Sequence, residues 1–338
     1  RRPPRSTQSR SSAASDVYKR QLFIPFVSIG QNNFIGSIER LSSEMDEYIS
    51  KDSKIEIIAK GFNWSEGPVW SKKLNALLFS DVPNNVIYKW DKKNGLSTFI
   101  NEIGYSGIVP NSKKAGTNGL TIDQEGNLII CMHGDRRIVK LIDWNSKEFL
   151  PVATSFNNKL FNSPNDLVYN SKKELFFTDP PYGLQNGDND KLKELQFNGV
   201  FRLSNDGELK VLIKNLSRPN GIAISIDEKT LYVANSDSKN PVIMKYKITD
   251  EGVENPEVFF DGSVLSKKDI GLFDGLKVHP SGTIFATGPG GVLLINKEGN
   301  HIGTIRTRVR SANCAFDDKF EYLYMTSHQY LTRIRIID

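Results

Sequence analysis

The chain of 338 residues is 38% hydrophobic and 25% charged, a balance that excludes a disordered polymer and suits one large globular domain. A net charge of +5 suggests nucleic acid as partner, but Arg1, Arg2, Arg5, Arg10, Lys19 and Arg20 against Asp16 account for all of it. The rest of the chain is neutral, so no nucleic-acid partner is expected. No apolar run approaches the ~20 residues of a membrane span, so none is expected either.

Residues 1–21 (RRPPRST through SSAASDVYKRQ) read as the translation of a sequencing-library adapter, a non-native tail to be left out of fold reasoning. Residues 22–30 (LFIPFVSIG) are apolar and end in small residues, which fits the back half of a truncated signal peptide. A short buried strand fits the same run. The first reading implies a periplasmic or secreted protein, the second a cytoplasmic one. Residues 31–53 form an N-terminal extension, in which Leu41 and Met45 at i, i+4 spacing predict a short helix over 39–48, packed outside the main domain.

From residue 54 the chain repeats. Six segments begin at Glu66, Asn118, Asn165, Asn220, Asp274 and Asn313, spaced 39 to 55 residues apart. Each is a polar residue, a short apolar strand, a polar turn and a second apolar strand, and third and fourth strands follow in most units. This period with several strands per unit predicts an all-β, six-bladed β-propeller over 54–338. The last unit ends one strand short at LTRIRIID, and residues 54–62 (KIEIIAKGF) are predicted to supply its outer strand and close the ring.

In such a blade the inner strand starts at one mouth of the central channel. All six starting residues carry a side-chain oxygen. Asn or Asp before Gly is also an ordinary turn former, so any one of them is weak. Six in register predict a ring of oxygen donors suited to one hard divalent cation, Ca²⁺ by its chemistry, with Glu66 and Asp274 neutralising its charge. Cys131 and Cys314 are too few and too far apart for a disulfide framework. His133 and His328 follow second strands and belong to the same face, His133 as a candidate general base. His279 falls on the opposite face and His301 near an outer turn. Tyr182 crowns the third blade, and the polar stretch 185–198 is long enough to form a lid.

Together the motifs SEGPVW (65–70), NGLTID (118–123), NSPNDLV (162–168), FTDPPYGL (177–184), RPNGIA (218–223), FDGLKV (273–278) and TGPGGV (287–292) resemble the senescence-marker-protein-like (SMP-30) gluconolactonase family, its bacterial branch included. The resemblance implies a calcium-dependent lactone hydrolase with metal ligands Glu66, Asn165, Asn220 and Asp274, the last also serving as general base or water-positioner. Asn118 and Asn313 match no general ligand of the family and are assigned, with Tyr182 and His328, to substrate contact. Some relatives hold substrate with an Arg where this chain has Ser163. Hydrolysis of other esters or organophosphates, and a non-enzymatic binding scaffold, remain the alternatives.

Overall fold

The computed structural model describes residues 33–337 except 108, 111, 112, 114, 146 and 147. The tail (1–21) and the signal-like run (22–30) lie outside the described residues. Alternation of side chains over short strands joined by tight polar turns gives six antiparallel sheets of four or five strands, each built by successive hairpins. The first comprises Ser65–Ser71, Ala76–Asp81, Val86–Asp91 and Gly95–Asn101, paired in chain order.

The second strands are the most apolar because neighbouring blades cover both of their faces. In blade 1, Leu77 and Phe79 pack against Ala315, Tyr324 and Leu331 of blade 6, while Leu78 packs against Leu120 and Ile130 of blade 2. Ile129 and Cys131 in turn meet Leu167 and Phe177 of blade 3. Six such clusters occur, one at each seam. Each fully buried large side chain contributes roughly 1.5–3 kcal/mol, so the seams hold the ring together.

Closure follows the sequence expectation. Ile55–Lys60 pairs antiparallel with Tyr330–Arg335 as the outer strand of blade 6. The extension does more than expected, however. Phe34–Ile35 adds a fifth strand beyond it, and Ser37–Arg40 adds a fifth strand to blade 5 against His301–Arg306. Gly36 makes the crossing between the two blades at φ +73°, where a Cβ would lie 1.8 Å from the Arg306 carbonyl oxygen. The helix expected over 39–48 is therefore corrected: Glu39 and Arg40 are strand, and only the 3₁₀ turn Ser43–Glu47 is helical. Met45 is fully buried while Leu41 is exposed, so the two do not share one apolar face. No helix among the described residues is long and apolar enough to cross a membrane.

Candidate metal and catalytic site

The starting residues of five of the six inner strands converge on one cavity. Asn118 Nδ2 donates to Asn165 Oδ1 (3.0 Å), and Asn165 Nδ2 donates to Asn220 Oδ1 (2.6 Å), forming an amide chain across blades 2 to 4. With Glu66 and Asp274 these residues line a cavity of about 740 Å³ at one mouth of the channel.

The glycines after the ring residues are not turn residues. Asn118 and Gly119 lie within the strand Thr117–Ile122, and Asn220 and Gly221 within Pro219–Ile224. The Gly119 N–H donates to the Asn165 carbonyl (2.8 Å) and the Gly221 N–H to the Asp274 carbonyl (3.1 Å). A Cβ would sit 2.3 Å from the first carbonyl oxygen and 2.1 Å from the second. Glycine is required because adjacent blades meet backbone to backbone at the site.

Two further devices fix the ring. Hydroxyls near the ends of second strands bind the next blade's backbone: Ser80 Oγ donates to the Asn118 carbonyl and Thr178 Oγ1 to the Asn220 carbonyl, both at 2.7 Å. Thr287 Oγ1 does the same for the Ala312 carbonyl (2.8 Å). The last residue of the second strand then grips the loop entering its own blade. Asp81 accepts from the Asn63 and Trp64 N–H groups, Asp179 from those of Asn162 and Ser163, and Asn235 from that of Arg218.

Burial pushes the Glu66 carboxyl up to about 7, helped by the nearby charge of Asp166. Burial, then the charges of Glu66 and Asp166, holds the Asp274 carboxyl well above its ordinary range. Asp274 keeps some exposure toward the cavity, yet its Oδ1 is buried without a hydrogen-bond partner, as is Asn118 Oδ1. Two mutually repelling carboxylates, adjacent amide oxygens and orphaned oxygen acceptors are a donor set that fits a hard divalent cation. Glu66, Asn165, Asn220 and Asp274 are the residues able to hold it.

Asp166, which the motif reading passed over, is the third acid of the channel. Its Oδ1 accepts from the Leu167 N–H (2.9 Å), and its Oδ2 faces Asn313 Nδ2 (3.3 Å) and Lys277 Nζ (4.0 Å). The position after the ring residue holds Gly67, Gly119, Gly221 and Gly275 in blades 1, 2, 4 and 5, and a charge in that column was the available signal.

Asn313, assigned to substrate contact, is not among the residues lining the cavity. Its Oδ1 accepts from the Cys314 N–H (2.9 Å) and Lys277 Nζ (3.3 Å), and its amide donates to Asp166 and bonds the cavity-lining Glu66, so it braces two acids of the site. His328 is likewise outside the cavity lining. Its ring meets the Trp64 ring edge-on with centroids 5.3 Å apart, and its Nδ1 bonds Gln329 Oε1 (2.5 Å). It therefore backs Trp64, which does line the cavity. His133 lines the cavity beside Asn165; burial, with the charge of Lys113, pushes it down to about 3, so the imidazole is neutral near pH 7.

The stretch 185–198 is not a lid, since none of it borders the cavity. It is pinned elsewhere: Glu194 accepts from the Leu160 N–H (2.8 Å) and faces the buried Arg136, and Asp188 pairs with Arg218. The cavity wall comes instead from Ser266, Asp269, Gly271 and Leu272, in the link between blades 4 and 5 that sequence reasoning passed over. Asp269 is tied to Arg306 (2.8 Å), which also grips Glu39 of the extension (2.9 Å). Cys131 and Cys314 are free and buried.

Fold and site together define a closed six-bladed propeller with one oxygen-donor pocket at the channel mouth. The chain belongs to the family described as SMP-30/Gluconolactonase/LRE-like region, whose model matches residues 64–329. It is 37% identical over 308 residues to the gluconolactonase of Zymomonas mobilis, covering 89% of this chain and 86% of that protein. In structure it is similar to a Xanthomonas campestris gluconolactonase (TM-score 0.79, 25% identity, 91% of this chain and 98% of that one). It shares its fold with the calcium-binding protein regucalcin of Agrobacterium tumefaciens (TM-score 0.65, 16% identity, 83% of this chain and 93% of that one).

Proposed function

We propose that this chain hydrolyses sugar lactones with the help of one divalent cation, Ca²⁺, held by Glu66, Asn165, Asn220 and Asp274. The observation that carries the reading is the pair Glu66 and Asp274, two carboxyls with raised pKa, the one repelling the other, that line the same cavity. A binding scaffold has no use for that repulsion. The 37% identity to a curated gluconolactonase supports the lactone as substrate.

When bound, the cation would polarise the lactone carbonyl and offset the oxyanion charge. Asp274, with its unpartnered Oδ1, orients the attacking water and takes its proton. Asn118 Oδ1, also unpartnered, accepts a hydrogen bond from a sugar hydroxyl. His133 acts by position, beside Asn165, because a base pushed down to about 3 accepts protons poorly near pH 7.

The test is a substrate panel of aldonolactones, aryl esters and organophosphates, with wild type and Asp274→Asn. Preferential opening of aldonolactones, lost in the variant, supports the reading. Preference for the aryl esters or organophosphates would favour the wider esterase alternative, and no turnover of any would favour a scaffold.

A further inference from the structure

Lactone opening needs a proton at the ring oxygen as well as a base for water, because an alkoxide is a poor leaving group. Tyr182 is placed for that task. The residue lines the cavity, and its buried hydroxyl sits against the side chains of Ser236 and Asn220, beside Asp274.

The turn carrying it is held with unusual care. Ser163 Oγ donates to the Pro180 carbonyl (2.6 Å) and accepts from the Gly183 N–H (2.8 Å), gripping Tyr182 from both sides. Lys113 Nζ donates to the carbonyl of Tyr182 itself (2.5 Å). Pro180 and Pro181 restrict the backbone before it. A Cβ at Gly183 would lie 2.6 Å from that of Ser163, so the turn is packed against its clamp. The position where some relatives carry an arginine thus serves here to aim the tyrosine.

We infer that Tyr182 is the proton donor to the leaving ring oxygen, an assignment that rests on the lactonase reading above. Water adds to the lactone carbonyl carbon as its proton passes to Asp274. The bond from that carbon to the ring oxygen then breaks, its electron pair stays on the oxygen, and the Tyr182 proton moves there. The proton held on Asp274 restores the phenol, leaving one hydroxy acid per lactone and water consumed. A phenol, ordinarily of pKa about 10, carries its proton at neutral pH.

The experiment compares wild type with Tyr182→Phe on a sugar δ-lactone and on its ring-sulfur analogue. A thiolate, from a thiol of pKa about 8.5, leaves without a proton donor. The oxygen lactone should lose about a hundredfold in kcat and the sulfur lactone less than about threefold. Should wild type open only the oxygen lactone, aryl esters, whose phenolates also leave unassisted, replace the sulfur ring. Equal losses on both substrates, or no loss on the oxygen lactone, would overturn the assignment. A wild type inert toward the oxygen lactone would instead sink the lactonase reading. Calcium affinity measured on Tyr182→Phe should match wild type, and a loss there in step with turnover would make the residue structural and overturn the assignment as well.

Discussion

Stripping the cation and rebinding it at controlled pH should release protons. In the cation-free protein Glu66 titrates near 7 and Asp274 well above its ordinary range. At pH 7 about half of the first is therefore protonated, and the second is raised in the same direction, while cation binding requires both ionised. Glu66 alone should release about half a proton per ion at pH 7 and nearly one at pH 6, with any contribution of Asp274 adding to this. Each proton released corresponds to about a tenfold change in affinity per pH unit. Affinity falls as pH falls, because protons compete for the same oxygens. Calorimetry at each pH, in two buffers of different ionisation enthalpy, counts the protons directly. Binding that releases none, with affinity flat from pH 6 to 8, would refute the account of two repelling carboxyls.

The same shifts set the stability of the cation-free protein. An acid whose folded pKa is raised contributes most below its unfolded value, near 4.5 for Glu66, and loses that contribution as pH rises through about 7. Glu66→Gln should therefore melt a few degrees above cation-free wild type at pH 8 and level with it at pH 4, by thermal scans at the two values. Gly221→Ala forces a Cβ toward the Asp274 carbonyl and should cost about 1–3 kcal/mol with weakened calcium binding. Gly207→Ala, in an outer turn with open space around it, should leave calcium binding unaltered in the same titration. Ser163→Ala strands the Pro180 carbonyl and the Gly183 N–H, so denaturant melts should show a loss of about 1–3 kcal/mol. Its kcat on the lactone should fall as well, since the Tyr182 turn loses its clamp.

The ring was legible because second strands covered on both faces must be apolar, and six such runs followed by polar turns stand out. The closing strand was legible because the last blade counted one short. Phe34–Ile35 and Ser37–Arg40 were not, since edge strands this short and polar carry no pattern, and the partner of the second lies in blade 5, some 260 residues away. The site divided in the same way. Oxygen at each strand start was visible, but not that the Asn313 side chain would be taken up by Asp166, Lys277 and Glu66. Length alone made 185–198 look like a lid, whereas its charges had partners in Arg136 and Arg218 that no local pattern reveals.

The central claim is that lactone opening depends on one cation in this pocket. Metal-free protein titrated with Ca²⁺, with gluconolactone hydrolysis followed in the same samples, tests it directly. The account predicts no turnover above the spontaneous rate without the ion and saturation at one ion per chain. Full turnover in the chelated protein would contradict it.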